Sequence, residues 1–231
     1  MLSIADLIEA GTLDGRMAAY FLAVLSKGKS FLVGAKPGGT GKTTVMAALL
    51  NLIPDVEIVP TEDGEVIEDG LTDYVRKCYV AHEIGKGSWY AYISGEDVRN
   101  FLELAKNHLV VSNLHADNIE EVLAHEGIDA ENLAKIDLLV FMRVAGSSSF
   151  RRRIGAVYEN RGGPNARDAF KLIFEWDKGK DIFKVMNKPA LASEAEIQEA
   201  QKMIGEIIDR KLRTIDEVRT FILERRTLER S

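Results

Sequence analysis

One stretch narrows the choice of fold more than any other. Residues 30–53 read SFLVGAKPGGTGKTTVMAALLNLI. An apolar segment, SFLVG at 30–34, runs into a glycine-rich loop ending Gly41-Lys42-Thr43. Apolar residues at helical spacing then continue until Pro54. A strand that turns through glycines into a helix begins a parallel sheet with helices on its faces. Gly38, Gly39 and Gly41 leave backbone N–H groups with no Cβ in front of them, so anionic oxygens can come close. The start of the helix adds partial positive charge. In this pattern Gly38, Gly39, Thr40, Gly41, Lys42, Thr43 and Thr44 are the candidates for ATP binding. Lys42 reaches the outer phosphates, and the Thr43 hydroxyl holds Mg2+. One departure stands out. The usual spacing, G-x-x-x-x-G-K-[ST], asks for glycine where Lys36 stands, followed here by Pro37. The expectation is an exposed Lys36 beside a loop that still binds.

The rest of the chain alternates in the same style. VEIVP (56–60), WYAYIS (89–94), HLVVSNL (108–114) and KIDLLVFMRV (135–144) read as strands, with helical segments such as VRNFLELAKN and NIEEVLAHEG between them. Ahead of the loop, SIADLIEA and LDGRMAAYFLAVLSKG read as helices, with Ser3 and Thr12 as caps and Gly11 and Gly28 as stops. The texture changes near residue 145. GSSSF is a flexible connection, and RRRIGAVYEN, DAFKLIFEWD and DIFKVMN follow at strand period, an antiparallel meander. From Ser193 the chain is helical, broken near 212–214, and Ser193 with Glu196 makes a capping box. The predicted fold class is α/β with a mostly parallel sheet. Its parts are a helical segment at 1–28, a core at 29–145, a β extension at 146–190 and C-terminal helices at 191–231.

Composition excludes some classes. The net charge is −6, which argues against nucleic acid as a partner held by the overall field. Cys78 is the single cysteine, so no internal disulfide forms, in keeping with a reducing cytoplasm. The N-terminus has no basic signal region, and no apolar run approaches the roughly 20 residues of a membrane span. Any membrane association is expected to go through a partner.

Three strand ends carry polar groups. Thr61-Glu62-Asp63 follows the strand at 56–60, Glu96 and Asp97 follow the one at 89–94, and His115 ends the one at 108–114. In open parallel sheets ligands bind at that edge. With the glycine loop these read, in order, GGTGKTT, PTEDGE, ISGED and SNLHADN. The chain resembles the secretion ATPase superfamily, the motors of type II and type IV secretion, type IV pili and archaella, whose four boxes come in this order. It is similar to the archaeal branch over roughly residues 4–187.

The resemblance implies a RecA-like phosphate-loop core and a set of roles. Glu62 would polarise the attacking water, Glu96 would act through the Mg2+ shell, and His115 would sense the γ-phosphate. As ordinary structure, Glu62 and Asp63 are turn acids, Glu96 caps a helix and His115 is a satisfied histidine; His82, His108 and His125 read as ordinary. The family pattern places arginine two positions after its acid, but here Arg99 lies three after Glu96, so Asp97 is the alternative metal-side acid. The family's N-terminal domain has no counterpart in residues 1–28, and the chain is expected to be a version lacking it. Arg99, Arg143, Arg151, Arg152 and Arg153 remain as candidates for a completing arginine. The resemblance further implies a homo-oligomer, a hexameric ring, serving the membrane platform protein of a secretion or pilus system. The competing expectation is a nucleotide-binding regulatory or assembly module with little hydrolysis. The apolar stripe Ile197, Met203, Ile204, Ile207 and Ile208 is expected to pack on the chain's own core.

Overall fold

The computed structural model describes residues 2–86, 92–146, 150–163 and 165–229. The strand that feeds the glycine loop, β1 (Phe31–Gly34), lies in the middle of the sheet, and the loop hands over to α3 (Lys42–Leu50). On one side β1 pairs in parallel with β5 (Leu109–Leu114), then come β3 (Cys78–Ile84) and β2 (Ile58–Pro60), with the short β4 (Tyr92–Ile93) beside β3. On the other side β1 pairs in parallel with β6 (Leu138–Ala145). From there β7 (Arg151–Asn160), β8 (Phe170–Asp177) and β9 (Ile182–Val185) continue antiparallel in the same sheet. The predicted α/β class and the meander are both present.

Helices cover both faces, and the strands alternate between them. Phe31, Val33, Val111, Leu138 and Val140 belong to one core, with α1 (Ile4–Glu9), α2 (Gly15–Leu25), α3 and α9 (Glu194–Asp209). Leu32, Val110, Leu139 and Phe141 belong to the other, beneath α5 (Glu96–Glu103), α6 (Ile119–Leu123) and α7 (Ala130–Leu133). Two-sided burial explains why the central strands read as nearly continuous apolar runs. α4 (Gly64–Thr72) follows β2, α8 (Ala166–Ala169) precedes β8, and α10 (Ile215–Glu229) follows α9. The α9 stripe packs inward as expected, with Met203, Ile204 and Ile207 buried, although Ile208 is exposed. Ser193 and Glu196 form the capping box.

Two expectations need correcting. The cap of α2 is Asp14, whose side chain accepts from the Met17 N–H at 2.9 Å; Thr12 lies in the preceding turn. The strand predicted at 89–94 is present as Tyr92–Ile93, and residues 89–91 of that expectation lie outside the described residues. The strand between β2 and β5 is instead β3, in a segment read as no element at all. Its sequence, CYVAHEI, carries the polar pair His82-Glu83 just before its last residue and follows a charged approach, which hides the strand pattern. The expected flexible connection at 146–150 falls largely on residues outside the described set.

The antiparallel half is tied to the helices by a buried acid. Glu159 of β7 is fully buried. It accepts from the Tyr20 hydroxyl at 3.0 Å, Arg161 Nε at 2.9 Å, and the N–H groups of Ala190 and Leu191 at 2.8 and 3.1 Å. A buried carboxylate is tolerable when paired and fully hydrogen-bonded. Burial and the Glu159 charge together push the Tyr20 hydroxyl's pKa well above its usual value. Glu159→Ala would leave Tyr20, two amides and a guanidinium short of an acceptor. It is expected to cost about 3 kcal/mol of stability, read as a lower denaturant midpoint at unchanged slope; a loss under about 1 kcal/mol would show that the network is not holding the sheet's second half.

Candidate nucleotide site

The glycine loop has the conformation an anion cradle needs. Gly41 caps α3 at φ +92°, a region open to glycine and strained for other residues. A Cβ on Gly38 or Gly39 would meet nothing within 4 Å, and both residues are exposed. Gly34, at the end of β1, has the opposite need: a Cβ there would come within 2.6 Å of the Ala116 carbonyl. The loop borders a cavity of about 660 Å3.

Lys42 is buried at 8% exposure, and its ammonium is held by the Ala35 carbonyl at 3.2 Å and by Glu83 Oε1 at 3.2 Å. Glu83 stands at the end of β3 and is itself buried at 5%. The same oxygen faces His115 Nε2 at 2.9 Å, while Glu83 Oε2 accepts from the Tyr92 hydroxyl at 3.0 Å. His115 Nδ1 lies 3.0 Å from the Lys36 carbonyl. Both ring nitrogens therefore face oxygen atoms.

A bulge explains how Glu83 reaches the loop. Along β3 and β5, Ala81 pairs with Ser112 and Glu83 with Asn113, so His82 is the extra residue. A bulge re-aims the side chains beside it. Asn113 holds it in place by donating to the His82 carbonyl at 2.8 Å, and its amide also lies 3.5 Å from Thr43 Oγ1.

The residues fit a magnesium-bound polyphosphate. Thr40 Oγ1 in the loop and Asn113 Oδ1 beside Thr43 are buried with no hydrogen-bond partner among the described residues. Such orphaned atoms cost stability unless something fills them. Thr43 is exposed into the cavity, where its hydroxyl can take a metal ligand's place. Among the described residues no group of three or more histidine, cysteine or acidic side chains could hold a metal ion by itself.

The structure brings together Gly38, Gly39, Thr40, Gly41, Lys42, Thr43, Thr44 and His115, all around the cavity. It does not bring Glu62 or Glu96 there. Glu62 is exposed after β2, at the same sheet edge but outside the cavity lining. Glu96 and Asp97 are in the first turn of α5, and Asp97 Oδ1 lies where a Cβ on Gly64 would approach to 3.0 Å. Lys36 is exposed as expected, ion-paired with Glu121 at 2.7 Å. His108 is buried and bonded to the Lys77 N–H and the Gly70 carbonyl, an ordinary role. His125 reaches the His115 carbonyl at 3.0 Å, nearer the site than its sequence suggested. Of the arginines, Arg99 and Arg143 pair with Asp129 and Asp117, and Arg151 and Arg153 with Asp181. Only Arg152 among these five touches the loop, donating from Nε to the Gly39 carbonyl at 2.9 Å. Sequence reasoning missed Glu83 and Tyr92. An acid next to last in the run CYVAHEI was the available signal for Glu83; the tyrosine offered none.

No protein-family model matches the chain, and no curated protein matches it. Solved structures do. The chain is similar to solved ATPases. One is the VirB11 ATPase from the Brucella suis type IV secretion system in complex with sulphate, at 20% identity over 67% of this chain and 54% of that one, TM-score 0.48. Another is the Legionella pneumophila ATPase DotB, at 14% identity over 71% and 50%, TM-score 0.43. The chain spans about half the length of each.

The two lysines of the loop separate cleanly. Lys42→Met is expected to weaken Mg·ATP binding about tenfold or more, because a charge-assisted contact to phosphate is lost. Lys36→Met, removing an exposed side chain, should leave it within about twofold. Calorimetric titration of both variants checks this; equal losses would place Lys36 on the phosphates too.

Proposed function

We propose that the chain binds and hydrolyses ATP as the motor core of a secretion or type IV pilus-like system. One observation carries this reading: Lys42 from the loop and His115 from the neighbouring strand end converge on a single buried oxygen of Glu83. A structural lysine has no need of an open glycine cradle, and a phosphate site has every need of one.

In this reading the amides of Gly38 to Thr43 and the start of α3 hold the phosphates. Lys42 exchanges part of its contact with Glu83 for the outer phosphates. Thr43, with Glu83 and Asn113 behind it, would hold Mg2+, which neutralises charge as it develops on the departing phosphate. Glu83 thus takes the metal-side role that the four-box resemblance gave to Glu96. His115, which faces Glu83 Oε1 at 2.9 Å and the Lys36 carbonyl at 3.0 Å, is set to report the γ-phosphate to α6 and its flanking loop. Glu62 keeps the general-base role by resemblance; because it stands outside the cavity lining, that role needs a closure bringing the end of β2 toward the loop. Most of the rate then comes from positioning and fixed charge.

Assembly into a head-to-tail ring, six-membered by resemblance, and a membrane platform as partner belong to the same proposal. Among the described residues no helix is long and apolar enough to cross a membrane, so contact with one would go through that partner. The position of Glu62 outside the cavity favours a second reading, a binding module with little hydrolysis.

Turnover measured across a protein concentration series separates the two. Glu83→Gln is expected to lower kcat about 100-fold or more while ATP affinity moves less than about tenfold. Glu62→Gln should also lower kcat strongly, and Glu96→Gln should leave it within about threefold. Wild-type protein that binds ATP yet shows no turnover at any concentration would leave only the binding module.

A further inference from the structure

The sheet has two outer edges, β2 and β9, and they are opposite in character. The β2 edge is acidic. Residues 54–75, which include β2 and α4, hold eight acidic side chains and no lysine or arginine. Glu65, Glu68 and Asp69 of α4 are all exposed. Apolar surface stands among these charges. Tyr74 and Val75, in the turn after α4, are 93% and 67% exposed, and Ile58 and Leu71 at the same edge are exposed too. Lys77 ties the turn to β2 by pairing with Asp73 at 2.8 Å and with Glu57 at 3.4 Å. A single exposed apolar residue is ordinary, but a group of four marks a contact surface.

The β9 edge is basic. Residues 178–188 hold four lysines and one acid, Asp181, which is already paired with Arg151 and Arg153. Lys178, Lys180, Lys184 and Lys188 are all exposed. Just past β9, the chain and α9 enclose a groove of about 520 Å3, with Val185, Met186, Pro189, Ala192 and Ile197 in its lining. The groove is held open from beneath. The Met186 N–H donates to the Ile173 carbonyl at 2.8 Å, and the N–H groups of Ala190 and Leu191 donate to Glu159. Its volume suits a tyrosine ring and a small neighbour.

We propose that a second copy of the chain fills this groove. Tyr74 and Val75 of one copy enter the groove of the next, and the acids around them face the lysines of β9. An aromatic anchor in a preformed apolar pocket is a common centre of binding energy, and opposite charge at the rim sets orientation. Lysines on an edge strand also guard against strand pairing. That duty asks for no apolar groove behind them, and no acidic, apolar counterpart at the far edge. Because the two surfaces differ, the contact is heterologous: each bound pair keeps one knob and one groove free, and copies add head to tail. Neither surface lines the cavity beside the glycine loop. The contact therefore gives the assembly proposed above its two surfaces, yet forms without nucleotide and does not rest on the loop being a phosphate site.

Sedimentation velocity of the full chain without nucleotide tests this. Wild type is expected to pass from monomer to larger species as its concentration rises to about 100 μM, and to do so less readily in about 0.5 M salt. Tyr74→Ser with Val75→Ser alters the knob, and Val185→Ser with Met186→Ser alters the groove; all four residues are exposed. Each double variant should need about tenfold or more protein to assemble. Mixed in equal amounts, one variant supplies an intact groove and the other an intact knob, so the mixture should form dimers and nothing larger. Wild type that stays monomeric at about 100 μM would overturn the contact. So would assembly that salt leaves unchanged, assembly that either double variant retains in full, or a mixture that yields no dimers. Calorimetric ATP binding by the wild type reports on the loop separately. A monomer that binds ATP sinks the contact alone, and an assembling chain that binds none sinks the phosphate site alone.

Discussion

A buried lysine ammonium is tolerable in a protein only beside an anion. Lys42 meets that condition through Glu83, and much of the site follows from it. Glu83 must come from a strand that ends level with the loop, so β3 has to lie in parallel two places from β1, with β5 between them. The bulge at His82 turns Glu83 toward the lysine, and Asn113 pins the bulge. In the proposed function, the pair that keeps Lys42 in place is also what a phosphate would have to compete with, so binding strength and folding stability would draw on the same charge.

The sheet's two halves serve this arrangement differently. The parallel half delivers the chemistry, because successive parallel strands end at one edge. The antiparallel half delivers the wall. β7 carries Arg152 to the back of the loop and Arg153 to the turn after α1, and Glu159 fastens β7 to α2 and to the 190–191 segment. Asp181, in the turn before β9, gathers Arg151, Arg153 and Trp176, and this pairing, Arg153 foremost, holds its carboxyl well below the usual carboxylate range. Cys78 takes no part: burial pushes its thiol up to about 12, so it stays an inert core residue.

Much of this was legible from local pattern. The strand–loop–helix unit, the alternation of strands and helices, the meander after 145 and the capping box at Ser193 depend on residues near in sequence, and all are present. His115 was legible because it directly follows the strand read at 108–114, β5. Glu96 drew attention for a similar reason, standing after WYAYIS and a glycine. Yet Glu96 begins a helix away from the cavity, and the acid at the site is Glu83. The stretch CYVAHEI carries a polar pair just where a strand pattern should be clearest, and a bulge breaks the alternation that would have marked it.

By itself the sequence determined the glycine cradle, the position of Lys42 and Thr43 within it, and the α/β class, since each rests on spacing along one segment. Tertiary structure alone decided which acid meets Lys42, which arginine touches the loop, and what walls the far end of the cavity. The physical reason is that those contacts join residues far apart in the chain, Lys42 with Glu83, Gly39 with Arg152, and Ala10 with Arg153. Sheet order and one bulge bring them together, and neither is written in the local pattern of any single stretch.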